Sequence, residues 1–496
     1  MNLVFRVDAS TQIGTGHLMR CLALAQAWQN TEKQAIFLMS NSVPTLEQRL
    51  LSEGIKVVHL SVPWGSIEDA RETTSFARQL DANWLVADGY HFGAEYQRVI
   101  KDAGLSLLFI DDYAHADHYY ADMVLNQNIY AHEGLYANRE PYTQLLLGLK
   151  YALLRREFWQ WRGWERETPT IARKVLVTLG GSDPDNVTLK VIKALQLVEL
   201  DVLETVVVVG GSNPHYEQLQ SASLDSRFPI HLKRNVTNMP ELMAWADVAI
   251  ASGGSTSWEL AFMGLPSIVL VLADNQRAIA QKLDEMGVSI YLGWHEDVSV
   301  AEIGSAVTDL LIVAHTRVEI TRRGQKLVDG EGSKRVLRNL ETKLLKLRCA
   351  CREDCRLLWE WSNDPEVRAV SFCTKSIPWK DHIQWFQSRL YSQNSIFYIG
   401  VDINDVPIGQ IRYDIEGDKA IISISIDKKF RYQGYSQNLI NLGCKQIFFD
   451  YKIKRIYAYI KPDNKVSIKA FDKAGFQKIG KTKLGKHEAI HLIRNK

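Results

Sequence analysis

Long apolar runs are missing from this chain of 496 residues. Arg6 and Asp8 break the first one, and no later segment approaches the about 18 consecutive apolar residues that a membrane-spanning helix needs. The expectation is a cytoplasmic protein with no membrane partner. Low-complexity tracts and short repeats are also absent, and with 46% hydrophobic and 23% charged residues the composition is that of a globular protein, far from the disordered class. Cysteine is scarce, six in all. Three of the six, Cys349, Cys351 and Cys355, crowd into RCACREDCR, but the spacing matches no zinc pattern and no nearby histidine completes a set of four. A strand followed by a helix, with Cys355 on its inner face, explains them more simply. Reduced thiols in a reducing compartment fit the whole set.

Net charge is nearly absent as well, +2 overall, yet it is unevenly spread. Residues 451–496 hold thirteen Lys or Arg against Asp463, Asp472 and Glu488, so this end carries +10 and the remainder −8. No arginine-rich helix or aromatic RNA-binding motif accompanies the lysines, which speaks against nucleic acid and leaves a phosphorylated small molecule or a solvated face.

The length predicts about three domains. Residues 2–160 alternate strand-like runs (LVFRVDA, AIFLM, KVVHL, WLVADGY, LSLLFIDD) with helical stretches, and a second alternating set follows the Trp-rich segment 157–170 (KVLVTLGGSD, TVVVVGGSN, PIHLKRN, ADVAIASGG, PSIVLVLAD). Two successive parallel sheets covered by helices imply a cleft between two Rossmann-like lobes, with ligands beyond the carboxyl ends of the strands. Near residue 345 the pattern changes to a mixed unit of about 150 residues.

Two glycine turns stand out. In FRVDASTQIGTGHLMRCLALAQAW, Gly14, Thr15 and Gly16 lead from a strand into a helix whose first turn carries His17. Such a turn aims backbone N–H groups at an anion, and the positive helix end favours a neutral imidazole, the form that acts as a base. A nucleotide-binding turn in which His17 only caps the helix fits the same residues, since G-x-G-H is too short to decide. In ADVAIASGGSTSWELAFMGLPSIVLV, Gly254, Ser255 and Thr256 open a second helix with Glu259 one turn on. There the N–H groups and hydroxyls suit a diphosphate, and Glu259 suits a ribose diol. Alternatively Ser255 is only a cap and Glu259 only a solvated residue.

Together GTGH, GGST-x-x-E followed by GLP, and the pair Asn275 and Gln276 resemble the inverting GT-B sugar-nucleotide enzymes of the lipid II glycosyltransferase type. The ordered set RVDASTQIGTGHLMRCLALA, VADGYHF, FIDD, VLNQN, LLGLKYALLRREF, VTLGGSDPDN and DGEGSKRVLRNL narrows the resemblance to the UDP-sugar hydrolases of pseudaminic acid biosynthesis, which release 2,4-diacetamido-2,4,6-trideoxy-β-L-altropyranose from UDP. The resemblance covers residues 1 to about 340. It implies that His17 deprotonates the attacking water, that Tyr90 and Asn275 contact sugar or water, with Gln276 beside them, and that no metal is required. UDP leaves as a stable anion, so one base suffices where ordinary glycosidases need two carboxylates. Asp88, Asp111 and Asp112, at strand ends, read as loop-ordering residues.

In ISISIDKKFRYQGYSQNLINLGCKQIF, Arg431-x-x-Gly434-x-Ser436 stands between a strand and a helix. It resembles the pyrophosphate loop of GNAT N-acetyltransferases, with serine at a position usually glycine or alanine. Acetyl-coenzyme A is the implied cosubstrate, its pyrophosphate on that loop and its pantetheine on backbone groups near Ile424 and Ile426. Asn464-x-x-Ser467, Phe471 and Gly475-Phe476 fit the second motif of that family. Phe471 replaces the tyrosine that in many members protonates the coenzyme A thiolate.

The expectation is an α/β chain of double Rossmann-like GT-B lobes, 1–165 and 166–340, followed by a mixed α/β GNAT domain, 345–496. Its expected ligands are a UDP-linked amino or acetamido deoxy sugar and acetyl-coenzyme A, with no nucleic acid. A GT-B glycosyltransferase with a sugar or lipid acceptor, or a hydrolase carrying a non-catalytic acetyl-coenzyme A module, remains open at this point.

Overall fold

A computed structural model describes residues 2–9, 15–200, 202–342, 345–402, 405–432 and 434–496. The chain forms two compact units, Met1–Leu337 and Arg338–Lys496, and the helix Gly332–Thr342 runs across their boundary. Among the described residues no helix is long and apolar enough to cross a membrane.

The first unit holds two parallel sheets. The first contains β1 (Asn2–Val7), β2 (Gln34–Met39), β3 (Lys56–His59), β4 (Ala82–Asp88), β5 (Ser106–Ile110), β6 (Met123–Asn126) and β7 (Gln144–Leu147), in the order β3-β2-β1-β4-β5-β6-β7. The second contains β8 (Lys174–Thr178), β9 (Glu204–Val209), β10 (Ile230–Arg234), β11 (Val248–Ser252), β12 (Ser267–Val271) and β13 (Ile290–Trp294), in the order β10-β9-β8-β11-β12-β13. After a leading serine, central strands such as β5 and β12 are unbroken Val, Ile, Leu and Phe runs because helices bury both of their faces. In each sheet the strand order reverses once, between β1 and β4 and between β8 and β11. Loops diverge from those two points and leave a crevice at the carboxyl ends. The helix Gly16–Gln29 follows β1 and the turn Gly253–Ser255 follows β11, each at such a reversal.

The second unit is one sheet of β14 (Lys346–Cys349), β15 (Ser395–Val401), β16 (Pro407–Glu416), β17 (Lys419–Ile426), β18 (Arg455–Ile460), β19 (Gln477–Leu484) and β20 (His487–Asn495), in the order β14-β15-β16-β17-β18-β20-β19. One face carries Ile411, Tyr413, Ile422, Ile456 and Ala458 and packs on the helices Tyr435–Asp450 and Lys465–Lys473. The other face is partly covered by Cys355–Asn363 and Trp379–Leu390, with Leu358, Trp361 and Phe386 against Phe397 and Ile399. Cys355 is partly buried at the head of its helix, and Cys21 is fully buried in the first unit.

The strands β17 and β18 are parallel but pair only through Lys419–Arg455, Ala420–Ile456 and Ile421–Tyr457. Beyond Ile421 they splay. Asp427 N donates to Ile408 O on β16, so by strand alternation the N–H groups of Ile424 and Ile426 point the opposite way, into the gap toward β18.

Candidate active site

His17 lies in the first turn of the helix Gly16–Gln29 and is 7% exposed. Asp88, the last residue of β4, lies across the reversal point with Oδ1 2.6 Å from His17 Nδ1. An ionised carboxylate can only accept, so Nδ1 carries a hydrogen, and in the neutral ring it is Nε2 that holds the lone pair. Arg20, one turn along the same helix, donates from Nε to Asp88 Oδ2 at 2.6 Å and from Nη2 to Oδ1 at 2.7 Å. Its Nη1 reaches Asp112 Oδ1 at 2.6 Å, and the Cys21 thiol also points at Asp88 Oδ2, 3.5 Å away. Burial alone would raise both carboxyls, but the Arg20 charge, with His17 beside it, outweighs burial and holds Asp88 and Asp112 below the usual aspartate range. Both stay ionised at neutral pH.

Asp112 carries the network outward. Asn128 Nδ2 donates to its Oδ1 at 2.8 Å and the Tyr90 hydroxyl to its Oδ2 at 2.7 Å. Burial and then Asp112 push the Tyr90 phenol upward, so it remains a donor. Its ring stands edge-on to His17, with centroids 4.8 Å apart. From the second lobe, Asn275 Nδ2 donates to the Tyr90 hydroxyl at 3.2 Å. The strand-end acids read from sequence as loop-ordering therefore do more: Asp88 fixes the His17 tautomer and Asp112 anchors Arg20 and Tyr90. Asp111 keeps the expected role, accepting from the amides of Asp112 and Tyr113.

The second-lobe turn faces this cluster. A Cβ on Gly16 would lie 3.9 Å from Ser255 Oγ, and one on Gly181 would come within 2.8 Å of Thr15 Oγ1. Gly14 lies outside the described residues. Ser255 does not cap its helix through its side chain, and the hydrogen bonds of the turn begin with Ser257 N and Trp258 N donating to Gly254 O and Ser255 O. The amides of Ser255 and Thr256 precede that ladder, as helix-start donors do. The helix Thr256–Phe262 is only seven residues long, so these donors and hydroxyls, more than a macrodipole, would meet a diphosphate. Around Gly254 an added Cβ meets nothing within 4 Å, whereas at Gly253 it would lie 3.0 Å from Gln276 O. Gly253, not singled out from sequence, is the packed member of the pair.

Glu259 is tied to Arg155, with Nε at 3.2 Å and Nη2 at 2.8 Å, both on Oε1. Burial raises this carboxyl and Arg155 draws it part of the way back. Gln276 Oε1 accepts from Leu272 N at 3.0 Å, a loop-closing bond. Arg155 had no signal in the sequence beyond its place in LLRREF.

In the second unit Gly434, at φ +91°, opens the helix Tyr435–Asp450, with Ser436 in its first turn. Arg431 donates from Nε to Ile426 O at 3.0 Å, and its Nη1 pairs with Asp364 at 2.8 Å and Glu366 at 3.1 Å. Its Nη2 is buried with no hydrogen-bond partner. The Ile426 carbonyl is thus occupied, and the Ile424 groups and the Ile426 N–H are what the gap between β17 and β18 presents. Asn464 Oδ1 accepts from Ser467 N at 3.1 Å and so caps the helix Lys465–Lys473. Phe471 is 3% exposed and packs edge-on against Phe476 at 4.9 Å, a core position. Among the described residues no group of three His, Cys, Asp or Glu is arranged to hold a metal ion.

Two known families match on either side of the boundary between the units. Residues 175–325 match the Glycosyltransferase family 28 C-terminal domain, and residues 345–477 match the Acetyltransferase (GNAT) domain. An uncharacterized protein of Methanocaldococcus jannaschii is 24% identical over 97% of this chain and 98% of its own. The UDP-2,4-diacetamido-2,4,6-trideoxy-beta-L-altropyranose hydrolase of Campylobacter jejuni is 26% identical over 58% of this chain and 98% of its own length. The crystal structure of MurG from Acinetobacter baumannii overlays 68% of this chain and 98% of its own, at 16% identity and a TM-score of 0.49. The first unit thus carries a match to the glycosyltransferase family 28 C-terminal domain and is similar to the pseudaminic acid pathway UDP-sugar hydrolases, and the second unit carries a match to the GNAT acetyltransferase domain.

Proposed function

We propose that the first unit hydrolyses a UDP-linked 2,4-diacetamido-2,4,6-trideoxy sugar, and that the second acetylates the 4-amino group of the corresponding precursor, acetylation coming first. The observation that carries the hydrolase reading is the His17–Asp88 pair at the strand-order reversal, facing the Ser255–Thr256 turn.

In this reading Asp88 holds the Nδ1–H, and Nε2 takes a proton from the water that attacks the anomeric carbon opposite UDP, giving inversion. The departing pyrophosphate is met by the amides and hydroxyls of Gly254, Ser255 and Thr256 and by the backbone around Thr15 and Gly16. Tyr90 and Asn275 line the sugar side, already bonded to each other across the lobes. The free Oε2 of Glu259 suits the ribose. No side chain is asked to protonate the leaving group, because UDP departs as an anion.

In the second unit acetyl-coenzyme A places its pyrophosphate on residues 431–436 and its pantetheine along Ile424 and Ile426. The gap between β17 and β18 supports this. The test is to incubate the whole protein with the UDP-4-amino sugar, with and without acetyl-coenzyme A. Free diacetamido sugar and UDP should form only when acetyl-coenzyme A is present. Release of UDP without acetylation, or acetylation without release, would refute the two-step reading.

A further inference from the structure

The sheet of the second unit has a face whose chemistry the cosubstrate does not use. Arg412, which packs over the Trp385 ring at 5.2 Å, marks it as the face partly covered by Trp379–Leu390. Arg412 pairs with Ser423 and Gln410 with Ser425 across β16 and β17, so both serines lie on that face. Ile421, of the same parity, pairs with Tyr457 on β18, and Tyr459 pairs with His491 on β20. One face next to the splayed ends of β17 and β18 therefore carries Ser425, Tyr457, Tyr459 and His491. The helix that begins at Gly434 packs on the opposite face.

His491 lies against two rings on the β18 side, with centroids 4.8 Å from Tyr459 at 17° and 5.3 Å from Tyr457 at 33°. Its Nε2 is buried and has no hydrogen-bond partner, and neither has Ser425 Oγ. Buried polar groups are normally satisfied, so both atoms have hydrogen-bonding capacity to give to a ligand on this face. On the other side of His491 the register places Gly480 of β19, where an added Cβ would meet nothing within 4 Å. The imidazole thus has an aromatic wall on one flank and open space on the other. Above this face runs the segment after Asp364, tied down where Lys461 Nζ donates to Ala369 O at 3.4 Å and where Phe372 meets the His487 ring at 6.2 Å.

We propose that His491 is the base of the acetyl transfer, with the acceptor amine above Tyr459, on the side of His491 that faces the gap between β17 and β18, and the rest of the acceptor reaching over His491 toward Gly480. The assignment rests on the acetyltransferase reading above. The amine nitrogen attacks the thioester carbonyl, forming the C–N bond, and its surplus proton passes to His491 Nε2. The C–S bond then breaks and the sulfur leaves as the thiolate, to be protonated by water, so the phenyl ring of Phe471 costs the reaction nothing. Tyr457 and Tyr459 hold the imidazole plane and offer apolar surface to a 6-deoxy sugar.

The test uses the whole protein, acetyl-coenzyme A and a UDP-linked 2-acetamido-4-amino-2,4,6-trideoxy sugar, reading released thiol from pH 6 to 9. In His491→Gln, kcat should fall by roughly 10²- to 10⁴-fold, the usual range for a lost general base. The rising limb of the pH–rate profile should flatten, and added imidazole should restore part of the rate. Acetyl-coenzyme A affinity and UDP-sugar hydrolysis should be unchanged. Gly480→Val, which fills the open flank, should raise KM for the amine without altering acetyl-coenzyme A binding. If His491→Gln keeps kcat within threefold, or loses acetyl-coenzyme A binding together with activity and without imidazole rescue, the assignment falls while the acceptor reading stands. A wild-type protein that leaves this amine unacetylated overturns the acceptor reading itself, and this assignment with it.

Discussion

Asp88 holds His17 from the opposite side of a strand-order reversal, carboxylate oxygen to ring nitrogen at 2.6 Å. A base built in this way depends on its orienting partner as well as on itself. His17→Ala should retain UDP binding and lose roughly 10²- to 10⁴-fold in hydrolytic turnover. Asp88→Asn should lose a comparable factor, because the amide lets the ring settle in the other tautomer. Turnover measured by UDP release, with UDP affinity as the control, checks both; near-normal turnover in either variant removes that residue from the mechanism.

The Tyr90 hydroxyl joins the lobes by accepting from Asn275 while donating to Asp112. Tyr90→Phe keeps the ring against His17 but leaves both partners short of a bond, a loss of about 1–2 kcal/mol. Thermal unfolding of the first unit should shift down by a few degrees and KM for the UDP-sugar should rise. An unshifted transition would mean that the bridge contributes nothing in solution.

Acid should act through the same cluster. Asp88 and Asp112 are held below their ordinary values in the folded protein, so on acidification the unfolded chain takes up protons first. Their contribution is complete above about pH 4 and is lost as pH falls through the lowered folded values. Unfolding midpoints measured from pH 6 to 2 should therefore fall steeply at the acid end. Asp112→Asn should have a lower midpoint at pH 6 and a shallower acid limb; a slope equal to that of the wild type would contradict this origin.

Gly434 begins its helix at φ +91°, a region that β-branched side chains avoid. Gly434→Val should distort the anion loop and weaken acetyl-coenzyme A binding at least tenfold by calorimetry, leaving UDP-sugar hydrolysis intact. Unchanged affinity would separate this loop from the cosubstrate.

Much of the fold was legible because two doubly wound sheets write themselves as alternating apolar runs and glycine turns. Three strands of these two sheets escaped, Met123–Asn126, Gln144–Leu147 and Ile290–Trp294, which lie at the ends of their sheets beyond the runs that the glycine and acid turns mark. Within the candidate site the glycine turns and His17 were visible as local strings. Asp88 as the partner of His17 was not, because the two are 71 positions apart and meet only when β4 pairs with β1. Arg20 carried no signal of its own, and the two carboxylates it joins come from the end of β4 and the loop after β5. Gln276 and Asn464 illustrate the opposite limit, since a string gives the residue but not whether its side chain is already spent on closing a loop or capping a helix.

The brief pairing of β17 with β18 makes a seam in the second sheet, and its mark should be an odd-even pattern in amide hydrogen exchange. Ser423 and Ser425 point their N–H groups at β16 and should be protected, while Ile424 and Ile426, facing the seam, should exchange quickly although they lie in the middle of a sheet. A cosubstrate that zips the seam would erase the alternation, giving four neighbouring amides one common lifetime.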